Sequence, residues 1–381
     1  MRAGRLWQAP GVDVAAKLWR VSWIFVLLLC ALAAVGYAAL YSVAGGSPYP
    51  YAEPDALRFA AGLAMMLVVA MVDPRWLVRL AWPLYGVSLA LLAAVLRFGH
   101  AGKGAQRWIE LGGLQIQPSE LMKIALVLAL AAWFRRASWE RIGNPLFLIV
   151  PVAAIVVPVL LILKEPNLGT AVITGAVGAA VMFAAGVRWW KFALMLAPIP
   201  LVAKVAYSHL HEYQRARIDT FLHPESDPLG AGYNILQSKI ALGSGGMWGQ
   251  GYLHGTQAHL DFLPEKQTDF IFSIIGEETG FVGAVTVMAL LCLIVLAGMV
   301  IALRCKHQFG RLLALGISVN FFLYVFVNIA MVMGAIPVGG VPLPLVSHGG
   351  SAMLTVMFGF GLLMAAYVHR DMAFEEEAEE G

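Results

Sequence analysis

The chain alternates long apolar runs with short polar connections. A helix needs roughly 20 apolar residues to cross a bilayer. By that measure ten spans are predicted, near 21–43, 56–72, 76–97, 118–135, 145–163, 168–187, 189–207, 269–303, 311–334 and 350–368. Gly and Pro interrupt several of them, which neighbouring helices tolerate in a bundle. As a helix, the run at 269–303 would be about 52 Å long at 1.5 Å per residue. That exceeds one straight crossing, so it is expected to project from the bilayer or to bend near Gly276 or Gly280. The pattern describes an all-α integral membrane protein: a cytoplasmic segment 1–20, a ten-span domain 21–370 and an acidic tail 371–381. The first apolar run has no small-residue cleavage site and reads as a retained span.

Three connections differ from the rest. Residues 208–268 form a loop far longer than the others, rich in Gly, polar residues and aromatics, with an amphipathic piece at 233–242 that argues for order at the interface. A structureless loop of that length is usually functional or disordered. Residues 98–117 form a second loop, followed by QPSELMK, where Pro118 suits a first helical turn and Glu120 an acidic N-terminus. Glu120 and Lys123 are then i, i+3 neighbours able to pair. The third, PVGGVPLPLVSHGGS at 337–351, carries so many breakers that irregular backbone lining a cavity is expected.

Composition fixes the class. Only 13% of the 381 residues are charged and 60% are hydrophobic, against about 25% charged in soluble proteins. The net charge of +3 gives no argument for nucleic acid. Three cysteines, Cys30, Cys292 and Cys305, with no CxxC, give neither a disulfide framework nor a zinc signature. Lys and Arg gather in the connections on the N-terminal side, including Arg75, Arg79, Arg135, Arg136, Arg188, Lys191, Arg304 and Lys306. By the positive-inside rule both termini are cytoplasmic and the three unusual loops lie outside.

Candidate chemistry gathers on that outer side. The stretch 262–280, FLPEKQTDFIFSIIGEETG, passes from a charged turn into an apolar run. Ionisable groups near membrane depth are costly and mark functional sites by default. If the stretch is helical, Asp269, Ser273, Gly276, Glu277 and Gly280 fall near one face and form a wall of a polar cleft. The competing reading is a helix whose first turns snorkel into the headgroups. Half-burial among Phe and Ile raises a carboxylate's proton affinity, which makes Asp269 the best general-base candidate. Its bland alternative is an outer salt bridge. Glu120 and Lys123 are catalytic candidates or a structural pair ordering the fourth span. Arg107, Arg215 and Arg217 could grip an anionic substrate or snorkel towards headgroups. Trp108 fits an interfacial belt more readily than a sugar platform. His254, His259 and His348 lack metal-type spacing, and no GxxxxGK[ST], HExxH or GxSxG occurs.

KGAQRWI, QPSELMK, DPLGAGYNILQSKIALGSGG, FLPEKQTDFIFSIIGEETG and NIAMVMGAIPVGGVPLPLVSHGGS together resemble the SEDS family of shape, elongation, division and sporulation proteins. The match runs in the family's order from about 100 to 351, and the GTQ segment before FLPE is most similar to the elongation branch. The resemblance implies a ten-span peptidoglycan glycosyltransferase acting on lipid II outside the cytoplasmic membrane, beside a class B penicillin-binding protein and other elongation-complex membrane proteins. It carries the catalytic Asp of the TDFIF motif onto Asp269, the sensitive Trp onto Trp108, and the Glu and Lys of QPSExxK onto Glu120 and Lys123. Where relatives often read PLPFVSYGGSS, this chain has Leu345, His348 and Ala352. One inversion from an α-linked donor to a β-1,4 polymer needs a base and positive charge at the pyrophosphate, from Lys123, Arg107, Arg215 or Arg217, with a divalent cation as a further option. The alternatives are a lipid II flippase, a division-type member and a scaffold without chemistry. Intramembrane charge near the midplane would favour the flippase; Lys164 and Glu165 are the main charged residues of that kind, and they read as lying at an outer edge.

Overall fold

The computed structural model describes residues 14–98, 100–102, 105–111, 114–165, 167–196, 231–259, 262–337 and 339–372. Helices dominate them. They are α1 (Val14–Trp19), α2 (Trp23–Val43), α3 (Ala52–Ala70), α4 (Pro74–Phe98), α5 (Pro118–Phe134), α6 (Trp139–Gly143), α7 (Pro145–Lys164), α8 (Leu168–Ala184), α9 (Trp189–Leu196), α10 (Ala231–Ser244), α11 (Thr256–His259), α12 (Ile271–Arg304), α13 (Gln308–Val332) and α14 (Gly350–Val368). Six of these, α2, α4, α7, α12, α13 and α14, are long and apolar enough to cross a membrane by length and composition. Each predicted span coincides with a described helix, the seventh only as far as Leu196. The protein is a multi-pass membrane protein.

One addition to the all-helical expectation lies in the 98–117 connection. There β1 (His100–Gly102), β2 (Ala105–Leu111) and β3 (Leu114–Ile116) form a small antiparallel sheet in the order β1-β2-β3. It delivers the chain to Pro118, the first residue of α5.

Helix α5 is the centre of the bundle. Ile124 to Ala132 are buried without a gap, as expected of a helix that is apolar all round. Gly316 lets α13 approach it, since a Cβ there would meet Val127 Cγ1 at 2.5 Å. Around the rim, α7 turns Leu146, Ile149, Val156 and Leu160 outwards, the surface a bilayer accepts. Local signals set the helix starts. Asn144 accepts from the Leu146 N–H with Pro145 at the first turn, and Asn167 accepts from the Thr170 N–H.

Of the two options its length left open, the long run bends. Gly280 has φ 68° and ψ −166°, so α12 is two helices joined at that residue. The broken ladder is repaired from outside. The Phe281 and Val282 N–H groups donate to Gly246 O and Met247 O, while Glu277 O and Glu278 O accept from Gln250 N and Gly251 N. Every main-chain group exposed by the break is an energetic liability away from water. The Gly-rich 245–251 turn exists to answer them. Its backbone comes so close that a Cβ at Gly249 would lie 2.0 Å from Glu278 O.

Candidate active site

Asp269 sits in a turn, and the helix begins two residues later at Ile271 with Phe270 as its N-cap. The expectation that Asp269 continues a helical face with Ser273, Gly276 and Glu277 is therefore corrected. Pro264 starts a tight turn and Glu265 takes φ 58°, so the Glu265 carbonyl collects the N–H groups of Thr268, Asp269 and Phe270. Those bonds end the turn before a helix can form upstream of Phe270. Asp269 is half-buried, between the half-exposed turn and the fully buried Phe270 and Ile271.

The rest of that predicted face packs against protein. Ser273 shares a 2.7 Å hydrogen bond with Ser238 of α10. Gly276 meets Leu242, where a Cβ would approach Leu242 Cδ2 at 2.5 Å. Glu277 is fully buried and accepts from Thr256 Oγ1 at 2.9 Å and from the Gln257 N–H at 3.1 Å. Glu278 accepts from Ser42 Oγ on α2. Nearby, Tyr252 donates to Ala38 O, and burial, then the Glu278 charge, holds its phenol above the usual range. Both glutamates are buried and hold the 250–257 turn and α2 against the helix break.

The 337–351 connection wraps Asp269. Ser347 Oγ donates to Thr268 O, and the His348 N–H donates to Gln267 O at 2.8 Å. A Cβ on Gly340, which has φ 63°, would lie 3.7 Å from Asp269 Oδ2, so this main chain passes beside the carboxylate. Leu345, one of the departures from the family pattern, adopts φ 62° and is buried. His348, another departure, binds Asp55 Oδ2 of α3 through Nδ1 at 3.1 Å, and Asp55 is bridged to Arg58 at 2.7 Å. Beside them an open groove of about 210 Å³ runs between α2 and α3, lined by Tyr37, Leu40, Asp55, Phe59, Leu345 and Val346.

Glu120 and Lys123 pair as their spacing requires, at 2.8 Å. Both are buried; only 1% of the Lys123 side chain is exposed, so in this state it offers no surface to a ligand. Tyr324 of α13 completes the pair: its hydroxyl donates to Glu120 Oε2 and its ring lies 4.1 Å from Lys123 Nζ. Trp108 is half-buried on β2, opposite His100 in the register. Arg107 has its main chain on β2, and its side chain lies outside the described residues, as do Arg215 and Arg217 altogether. Sequence reasoning missed Tyr324, Asn328, Asp55 and Ser347. The one available signal was polarity inside apolar runs.

Comparison with known proteins gives a consistent family. The family model described as cell cycle protein, FtsW/RodA/SpoVE, matches residues 18–372. The peptidoglycan glycosyltransferase MrdB of Escherichia coli K12 is 44% identical over 352 residues, covering 91% of this chain and 94% of that protein. A probable peptidoglycan glycosyltransferase FtsW of Trichlorobacter lovleyi is 39% identical over 353 residues, covering 90% and 91%. Among solved structures, a chain from a peptidoglycan synthase complex that coordinates polymerization and crosslinking superposes with a TM-score of 0.80 at 32% identity, covering 93% of this chain and 99% of that one. The rod shape determining protein RodA of Thermus thermophilus superposes with a TM-score of 0.70 at 29% identity, covering 93% and 98%.

Proposed function

The chain belongs to the FtsW/RodA/SpoVE family, and on that premise we propose that Asp269 is the general base of a peptidoglycan glycosyltransferase that polymerises lipid II during cell elongation. The elongation reading is favoured over the division-type one by the higher identity to MrdB. The observation that carries the catalytic assignment is the setting of Asp269: a half-buried carboxylate at the mouth of an apolar helix, with its turn fastened by the 339–348 segment. Its place on the extracytoplasmic side, with both termini cytoplasmic, is supported by the distribution of Lys and Arg.

The reaction is a single inverting displacement. Asp269 takes the proton from the acceptor sugar's 4-hydroxyl as that oxygen attacks the anomeric carbon, and the C–O bond to the lipid pyrophosphate breaks. The leaving pyrophosphate needs positive charge. Arg107, Arg215 and Arg217 are assigned to it, with guanidinium geometry suited to phosphate. Lys123 is committed to Glu120 inside the bundle, and Trp108 is assigned to border the substrate from β2. A divalent cation could share the neutralisation, but among the described residues no group of three or more His, Cys, Asp or Glu could hold one, so no step is routed through a metal. The polyprenyl tail has room in the groove between α2 and α3.

A class B penicillin-binding protein is the expected partner, alongside other elongation-complex membrane proteins; the synthase complex that contains a similar chain supports this. The test is the purified chain given lipid II, with and without that transpeptidase. Glycan strands are expected. Translocation in vesicles without polymer would establish a flippase instead, and the absence of both would establish a scaffold.

A further inference from the structure

Three successive turns of α13 touch three parts of the site. Tyr324 holds Glu120 of the buried ion pair. One turn on, Asn328 is fully buried and its Nδ2 donates twice, to Asp269 O at 2.9 Å and to Val341 O at 2.8 Å. One turn further, Val332 O accepts from Ser238 Oγ at 2.7 Å, and Ser238 is bonded to Ser273. Residues four apart share a helix face and lie about 6 Å apart along its axis.

Asn328 is the informative member. Its two acceptors are the main chain of the catalytic residue and the main chain one residue beyond Gly340, which runs beside the Asp269 carboxylate. A single amide therefore sets the spacing between the carboxylate's own backbone and the segment against which it lies. Both acceptors are carbonyls, so both bonds demand the NH2 group, and the amide's orientation is fixed. Val341 is itself buried, and its neighbour Gly339 rests on Gly169 at the start of α8, where a Cβ would meet Gly339 O at 3.2 Å. The segment has little freedom to follow if the amide is lost.

We propose that Asn328 and Tyr324 are positioning residues that hold Asp269 in register with the Glu120–Lys123 pair along one face of α13. Neither touches substrate. Asn328 fixes where the base is, and Tyr324 fixes where the buried charge is. This rests on Asp269 being the base.

The test is steady-state polymerisation of lipid II by the full chain with its transpeptidase partner, comparing Asn328→Ala, Asn328→Asp, Tyr324→Phe and Asp269→Asn. Displacing a reacting group by about 1 Å costs on the order of 100-fold. Asn328→Ala is expected to lower kcat by about 10- to 100-fold with KM within about twofold. Asn328→Asp keeps the shape and serves where the alanine variant fails to fold. Its carboxylate donates no hydrogen bond, while its protonated form donates one. Its rate relative to the native chain should therefore rise as pH falls; the ionisable groups on the elements packed around it are Asp269 and, one turn back along α13, the Glu120–Lys123 pair. Tyr324→Phe keeps the ring over Lys123 and should lower kcat by less. A native kcat in Asn328→Ala, or a flat pH ratio in Asn328→Asp, would overturn the proposal while Asp269→Asn remained inactive. An active Asp269→Asn would instead overturn the reading beneath it.

Discussion

Asp269 and the Glu277–Glu278 pair lie within ten residues of each other and are held in opposite ways. The glutamates are gripped by their carboxylate oxygens: Ser42, Thr256 and the Gln257 N–H all point at them, and both side chains are buried. Asp269 is gripped by its main chain, through Asn328 and the Glu265 carbonyl, and its side chain remains half-buried beside Gly340. A carboxylate whose oxygens are committed to neighbours stabilises a shape. A main chain that is fastened on both sides fixes where its side chain starts. The three acidic residues of one motif are thus placed through different atoms.

The sharpest way to break this comparison is at the helix bend. Gly249→Ala would force a Cβ to 2.0 Å from Glu278 O at φ 80°, and a loss of about 4 kcal/mol or more is expected, read as a collapse of the thermal midpoint in detergent. Lys123→Met leaves Glu120 buried without its cation; breaking one side of a buried pair costs about 3–5 kcal/mol, and the same melting measurement should find it. Glu277→Ala strands the Thr256 hydroxyl and the Gln257 N–H, at about 1–3 kcal/mol for an unsatisfied buried group. Its residual activity should follow its folded fraction, measured by size-exclusion recovery alongside glycan output. The smallest effect has the opposite sign. Gly243 of α10 faces open space, so Gly243→Ala should stabilise by up to about 1 kcal/mol and leave polymerisation unchanged.

Much of the fold was legible because apolar length is a strong signal. The positions of the apolar helices, a bend as one of two options for the longest run, and the Glu120–Lys123 pair followed from spacing. The late start of the helix, after Asp269, was not legible, because Pro264 and the left-handed Glu265 act through a carbonyl that no side-chain pattern reports. The small sheet at 100–116 escaped for a related reason: strands of three residues are too short to show a period of two. Asn328 and Tyr324 sit in an apolar run as single polar residues, and their meaning appears only when α5 and the Asp269 turn arrive from elsewhere in the chain. His348 departs from the family pattern in sequence, and only the structure supplies its partner, Asp55.

The most direct measurement is glycan synthesis from lipid II by purified Asp269→Asn, with lipid II binding and thermal midpoint measured on the same preparation. The account predicts native binding, a midpoint within about 2 °C of the parent, consistent with a change below about 1 kcal/mol, and no detectable polymer. Glycan strands made at a rate comparable to the parent chain would contradict it.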